Sequence, residues 1–240
     1  MKSLIKKILR YVQFPFIVSD YLRFRRNMQG SRFAVRLADV YPCIKDKTIQ
    51  TGFDRHYVYH TSWAARVLAE AMPTKHIDIS SSLYFSGIVS AFIPVDFYDF
   101  RPADITLSEL RSKQGDITKL PFADNSQSSL SCMHVIEHIG LGRYGDPIDS
   151  EGDIKSAAEL SRTLAPGGQL LFVVPIGAEA RIEYNAHRIY TYELVQKLFP
   201  TLTLKEFTLI PEHSGDMIRN ADPSLAQNEH YACGCFVFTK

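Results

Sequence analysis

The chain has little cysteine, no long apolar run and almost no net charge, and each shortage removes a class of protein. Its four cysteines, Cys43, Cys132, Cys233 and Cys235, are too few and too scattered for the disulfide framework of a small secreted domain. None forms the CxxC pair of a structural zinc site. Cys233 and Cys235 stand two apart in an apolar run, which on a strand puts both on one face. A reduced, cytoplasmic setting is the expectation. No apolar stretch is long enough to cross a bilayer. The segment Tyr11 to Val18 is short, broken by Pro15 and not followed by a small-residue cleavage site, so an export signal is not expected. A formal charge of +1 gives no overall attraction to nucleic acid, and no such partner is expected.

What is present is enough for one sizeable core. The chain has 240 residues, 45% of them hydrophobic, which suits a single domain rather than two. The charge, however, is uneven. Between Met1 and Arg36 stand Lys2, Lys6, Lys7, Arg10, Arg23, Arg25, Arg26, Arg32 and Arg36, with Asp20 as the acid among them. Leu4, Ile5, Ile8, Leu9 and Val12 recur at helical spacing among the first four of these cations. Tyr21 to Arg26 then mixes aromatics with arginines. The organisation expected is a basic, helical extension over residues 1–45 and a folded domain over 46–240. Two readings of the extension stand. One is an amphipathic helix lying on an anionic membrane surface through residues 1–28, which would place the protein at the cytoplasmic face of the inner membrane. The other is a helix packed on the domain with solvated lysines.

From Trp63 onward, strands and helices alternate. Trp63, Val67, Leu68 and Ala71 have helical spacing, stopped by Pro73. His76 to Ile79 reads as a strand, followed by the polar turn Ser80-Ser81-Ser82 and a helix over Leu83 to Phe92. Pro94 to Phe100 is a second strand. Gly115-Asp116 and Asp124-Asn125-Ser126 mark turns, and Leu130 to Val135 is a buried strand. Asp153 to Leu164 is a helix with Ile154, Ala157, Ala158 and Leu160 turned inward, ended by Pro166-Gly167-Gly168. There the backbone needs a left-handed residue before entering the next strand. Gln169 to Pro175 carries an unbroken apolar run, as a strand buried on both faces does. A helix over Tyr190 to Phe199 and strands over Leu202 to Ile210 and Tyr231 to Phe238 complete the pattern. Alternation of this kind implies a parallel sheet with crossover helices.

Three phrases resemble the class I S-adenosylmethionine-dependent methyltransferases. They are Gly115-Asp116-Ile117 with Leu120-Pro121-Phe122 and Asp124-Asn125-Ser126, the segment His134-Val135-Ile136-Glu137-His138, and Glu159-x-x-Arg162-x-Leu164-x-Pro166-Gly167-Gly168-x-Leu170. The likeness spans about residues 74 to 240. It implies a Rossmann-like α/β fold with a mostly parallel seven-stranded sheet and an antiparallel C-terminal strand. It also implies S-adenosylmethionine as cofactor. Phe53 to Tyr57, His76 to Ser81, His134 to Asp149 and Asn185 to Tyr190 resemble a diverged bacterial branch associated with surface-polysaccharide synthesis. On that likeness the acceptor is a small or carbohydrate-linked molecule.

Carried over residue by residue, the resemblance assigns cofactor binding to Asp78 and the turn Ser80 to Ser82, with Ser80 and Ser82 replacing expected glycines. It assigns the ribose hydroxyls to Asp99, the adenine amino group to Asp116 and the adenine ring nitrogen to the Ile117 backbone. Turn-capping is the competing role for Asp99 and Asp116. Serine tolerates a positive φ poorly, so the turn is expected either to take another course or to hold the cofactor less closely. That departure keeps a second function open: a catalytically inactive relative that binds a nucleotide-like ligand or a partner enzyme.

Methyl transfer to a hydroxyl or amine needs an oriented acceptor and a proton acceptor. His134, His138 and His187 fall in loops at the carboxyl ends of predicted strands and are the candidates for it, with Glu137 between the first two. Arg188 is the candidate for holding an anionic acceptor, with Arg143 and Arg181 beside it. His134-x-x-Glu137-His138 also matches the H-x-x-E-H pattern of a zinc peptidase class. That chemistry needs both histidines on one helical face, whereas here a strand ends at His134 and Gly140 and Gly142 follow. No metal is expected.

Overall fold

In the computed structural model, which describes residues 17–41, 43 and 46–240, the chain divides into two units, Met1–Gly52 and Phe53–Lys240. The first contains a helical stretch over residues 17–27 (α1), a 3-10 turn at Leu37–Asp39 and an exposed ion pair of 2.6 Å between Lys47 and Asp20. The amphipathic helix expected over Leu4 to Val12 lies outside the described residues. No described helix is long and apolar enough to cross a membrane.

In the second unit the predicted alternation closes into one sheet. Its strands are β1 (His76–Ile79), β2 (Val95–Asp99), β3 (Leu110–Gln114), β4 (Gln127–Met133), β5 (Leu164–Ile176), β8 (Thr203–Ile210) and β9 (Ala232–Thr239). Their order is β3-β2-β1-β4-β5-β9-β8. β1 to β5 pair in parallel, while β9 runs antiparallel to both β5 and β8. The expected fold, seven strands with an antiparallel last one, is therefore observed. A separate hairpin, β6 (Arg181–Glu183) and β7 (His187–Ile189), stands outside the sheet.

Helices α2 (Arg55–Ala71) and α3 (Leu83–Val89) cover one face, and α4 (Gly152–Thr163) and α5 (Tyr192–Leu198) cover the other. The period of two in β5 serves both layers. Leu170, Phe172 and Val174 pack with Ala157, Leu160 and Val195, whereas Leu171 and Val173 pack with Trp63, Leu68 and Phe85. A strand covered on both faces has no use for a polar residue, which is why its apolar run is unbroken.

Several local expectations are corrected. α2 begins eight residues before Trp63, where Asp54 caps it by accepting from the Tyr57 amide at 3.1 Å. Its first turns contain His56 and His60, which look solvent-facing in sequence but are buried. In α4, Ile154 and Ala158 face outward, Ile154 being 54% exposed. The buried face carries Asp153, Ser156, Ala157 and Leu160 instead, because Asp153 has an internal partner in the Tyr190 hydroxyl at 2.9 Å. The glycine turn behaves as read, with Gly167 at φ +75°. Ahead of it, Arg162 donates to Glu159, Asp124 and the carbonyls of Leu120 and Phe122. This pins the 120–124 loop to α4.

Candidate functional site

The order of the parallel strands reverses between β1 and β4, and open α/β sheets bind ligands in the crevice outside such a point. Here that crevice is a cavity of about 360 Å³ bordered by Ser80, Asp99, Asp116, Ile117, His134 and Tyr144. The turn after β1 decides its floor. Ser80 adopts φ +55°, the left-handed conformation expected of a glycine, at a cost of about 1–2 kcal/mol. Two bonds offset that cost. The Ser80 amide donates to the Tyr98 carbonyl at 2.8 Å and its hydroxyl donates to the same oxygen at 3.0 Å. Ser81 Oγ accepts from the Met133 amide at 3.0 Å. The serines thus take the turn they were expected to resist, with both hydroxyls tied back to the sheet.

Beneath the turn lies a buried polar relay. Asp78 is fully buried; Ser131 donates to its Oδ1 at 2.6 Å and Ser86 to its Oδ2. Burial raises its pKa against the pull of these hydroxyls. His76 continues the relay, its Nδ1 2.8 Å from Ser129 Oγ and its Nε2 2.9 Å from Ser131 Oγ. Asp78 and Ser82, expected at the cofactor, do not border the cavity; Asp78 braces the turn from below, and Ser82 sits at the N-cap of α3. Ser80, Asp99, Asp116 and Ile117 do border it. Asp99 Oδ1 accepts from the Arg101 amide at 2.7 Å. Asp116 Oδ1 accepts from the Thr118 amide at 2.8 Å and hydroxyl at 2.7 Å. Each carboxylate caps its turn with one oxygen and keeps the other without a partner among the described residues.

A loop over residues 140–149 forms the far wall. Asp146 organises it by accepting from the amides of Gly140 at 2.8 Å, Gly142 at 3.3 Å and Tyr144 at 3.2 Å. Beyond Tyr57, His134, His138 and Tyr144, which border both spaces, a second cavity of about 450 Å³ opens. Its further walls are His56, Glu137, Arg143, His187, Glu212 and Tyr231.

His134 is the pivot of the second cavity. It follows β4 at φ +57°, with Nδ1 2.8 Å from Glu137 Oε1 and Nε2 3.5 Å from Cys233 Sγ. The rings of His56 and Tyr57 stack near it at 5.4 and 5.5 Å, and His60 meets it edge-on at 4.9 Å. His138 Nδ1 lies 2.7 Å from the Ala186 carbonyl. A carbonyl only accepts, so Nδ1 carries the hydrogen and Nε2 the lone pair. Burial lowers the pKa of His138 and His187 and takes His56 down to about 4, so these rings are neutral near pH 7. His134 differs. Burial opposes its charge, yet the Cys233 sulfur and the Glu137 carboxylate raise its pKa. Glu137 is the partner that matters near neutrality, because burial holds the Cys233 thiol protonated. Burial also pushes Tyr231 up to about 12.

The histidines expected from the sequence therefore converge, with two corrections. His187 sits on β7 rather than in a loop, its ring 6.1 Å from His138 and stacked on Tyr231 at 5.2 Å. Arg188 turns away from the cavity. It donates to the Ile139 carbonyl at 2.7 Å and lies 3.7 Å from Asp153, so its charge is used in holding the hairpin to the 3-10 turn and α4. Arg181 is likewise engaged with His230, and of the three arginines only Arg143 borders the cavity. The H-x-x-E-H segment is a 3-10 turn over Ile136–His138, not a helix presenting two ligands. His56, His60 and Cys233 were missed. The i, i+4 spacing of His56 and His60 in one helix was the available signal.

Solved structures that share this fold include methyltransferases. The N-methyltransferase NodS of Bradyrhizobium japonicum, solved with S-adenosyl-L-homocysteine, aligns at a TM-score of 0.52 and 16% identity over 75% of this chain and 84% of its own. A Burkholderia thailandensis 1,6-didemethyltoxoflavin-N1-methyltransferase, bound to 1,6-didemethyltoxoflavin and S-adenosylhomocysteine, aligns at 0.53 and 11% identity over 75% and 79%. The chain thus has the Rossmann-like methyltransferase fold. No curated protein matches it in sequence. Residues 103–227, more than half of the chain, match the family described as Caenorhabditis protein of unknown function, DUF268. The chain belongs to that family.

Proposed function

We propose that this protein is an S-adenosylmethionine-dependent methyltransferase, with the methyl donor in the cavity above Ser80 and the acceptor in the adjoining histidine-lined one. The observation that carries the reading is their junction. Two carboxylates, each with an oxygen to spare, border one space, and it opens past His134 into another lined by the neutral imidazoles of His56, His138 and His187. Asp99 would hold the ribose hydroxyls and Asp116 with the Ile117 backbone the adenine. The left-handed Ser80 supports cofactor binding over the inactive alternative, since the turn keeps a glycine-like course.

Bound there, S-adenosylmethionine would supply an electrophilic methyl group to the acceptor, whose proton would pass to a base of this chain. His138 Nε2 fits that role: it is neutral, its tautomer is fixed by the Ala186 carbonyl, and the residue borders both cavities. The polar lining with the rings of Tyr57, Tyr144 and Tyr231 suits a small or carbohydrate-linked acceptor. The basic residues between Lys2 and Arg36 favour an acceptor met at an anionic membrane face, which flotation with and without residues 1–28 would test.

Calorimetric titration with S-adenosylhomocysteine tests the core of the reading. Binding is expected. Asp99→Ala and Asp116→Ala should each weaken it at least about tenfold, the loss of one charge-assisted hydrogen bond. No binding by the folded protein at millimolar ligand would refute it.

A further inference from the structure

We propose that His56, His134 and Cys233 form a binding site for a single divalent transition-metal ion, zinc by the chemistry of the donors. The three come from α2, the end of β4 and the start of β9, and only the fold assembles them. Each offers one ligand atom, and these atoms all lie within 4.8 Å of one another. His56 and Cys233 are buried, and the His134 side chain is 5% exposed.

One edge of the group already has the spacing of a tetrahedral ion, and the other two lie within 4.8 Å. Bonds of about 2.0 Å to nitrogen and about 2.3 Å to sulfur put neighbouring ligands roughly 3.5 Å apart. His134 Nε2 and Cys233 Sγ are 3.5 Å apart. Two imidazole nitrogens with one sulfur suit a borderline-soft ion.

The outer contacts are those that metal-bound histidines need. A ligating ring gives its other nitrogen to a carboxylate or carbonyl, which fixes its tautomer and its orientation. Glu137 Oε1 holds His134 Nδ1 at 2.8 Å, and the Tyr231 carbonyl lies 3.2 Å from His56 Nε2. Binding of the ion would release the extra proton of His134 and the thiol proton of Cys233, leaving each ring one lone-pair nitrogen for it. Two further buried polar atoms beside the group have no hydrogen-bond partner among the described residues: Glu137 Oε2 and His60 Nε2. The His60 ring sits 4.9 Å from that of His134. Three protein donors leave one position of a tetrahedron open, as in zinc sites that act on a ligand. His56 and His134 border the second cavity, so that position is open to whatever the cavity binds.

A cysteine nucleophile activated by His134 and Glu137 is the rival use of the same atoms. It requires a thiol that a substrate can reach. Cys233 is fully buried and borders neither of the two cavities, and a nucleophile has no need of His56. The metal site also differs from the H-x-x-E-H reading: Glu137 supports a ligand, and His138 is not one. The inference stands whether or not methyl transfer does.

Full-length protein dialysed against a chelator and titrated anaerobically with Co2+ supplies the test. One equivalent should bind, with a sulfur-to-cobalt charge-transfer band in the near ultraviolet and the intense visible bands of a tetrahedral ion, and Zn2+ should displace it. Cys233→Ser should abolish the charge-transfer band, Glu137→Gln should weaken binding about 10–100-fold, and His138→Gln should leave the spectrum intact. Folding of each variant is read by circular dichroism. Folded wild-type protein that takes up no Co2+ at large excess would overturn the inference. So would a folded Cys233→Ser variant whose cobalt spectrum matches wild type.

Discussion

Lowering the pH should unfold this protein in part through one buried histidine. His76 lies under the serine turn, fully buried between Ser129 and Ser131. Neither neighbour carries charge, so burial depresses its pKa to about 3. In the unfolded chain the imidazole titrates near 6.5. Between those values the unfolded state binds a proton that the folded state refuses. Stability from this site is therefore complete above about pH 6.5 and is lost as pH falls toward 3. At a slope of about 1.4 kcal/mol per pH unit, the loss at pH 5 is about 2 kcal/mol. His56 and His60 are depressed as well and share the window, while the raised carboxyl of Asp78 acts in the opposite sense. A comparison with His76→Gln cancels these common contributions. Urea denaturation in the presence of a chelator, at about pH 7.5 and about pH 5, would measure it. The variant should start less stable, because its amide must replace the imidazole between two serines. Between the two conditions it should lose about 2 kcal/mol less than wild type. Equal losses in the two proteins would refute the claim that His76 stays neutral in the fold.

Two further outcomes follow from single contacts. Gly140 has φ +77°, and a Cβ there would lie 2.1 Å from the Asp149 carbonyl; Gly140→Ala should cost at least about 1–2 kcal/mol in backbone strain alone, read as a lower thermal midpoint and faster proteolysis within residues 140–149. Glu206 accepts from the buried Trp63 indole at 2.8 Å, from Thr208 at 2.7 Å and from Arg219 at 2.7 Å; Glu206→Ala should destabilise by at least about 1–3 kcal/mol by leaving the indole N–H unpaired and removing the Arg219 pair, and an unchanged denaturation midpoint would contradict that pairing.

The legible parts of the fold were those with a local cause. The unbroken run of β5 reports a strand covered on both faces, and Pro166-Gly167-Gly168 reports a backbone that must turn through a left-handed residue. β3 gave no such signal, because it is an edge strand with one buried residue, Leu110. The start of α2 was hidden by His56 and His60, polar residues whose burial depends on what packs over them. Ile154 misled for the opposite reason: Asp153 found the internal partner and turned the helix.

At the site, Asp99, Asp116 and Ile117 were placed by the resemblance to class I methyltransferases, and they border the first cavity at the carboxyl edge of the parallel strands. His134, His138 and His187 follow from the same topology. Arg188 did not behave as its charge suggested, since the Ile139 carbonyl and Asp153 lay closer than any acceptor could.

What the sequence by itself determined is most of the alternation of strands and helices, and its motifs carry the resemblance that implies the antiparallel last strand and the acids around the first cavity. Periodicity, turn chemistry and short motifs act over a few residues, and they carry that much. Only the tertiary structure decided that serine could stand in for glycine at position 80, because the compensation comes from the Tyr98 carbonyl eighteen residues away. Only the structure brought His56 from α2 and Cys233 from β9 to His134. Those residues are separated by up to 177 positions, and no spacing rule in the chain reaches so far; packing on a common sheet does.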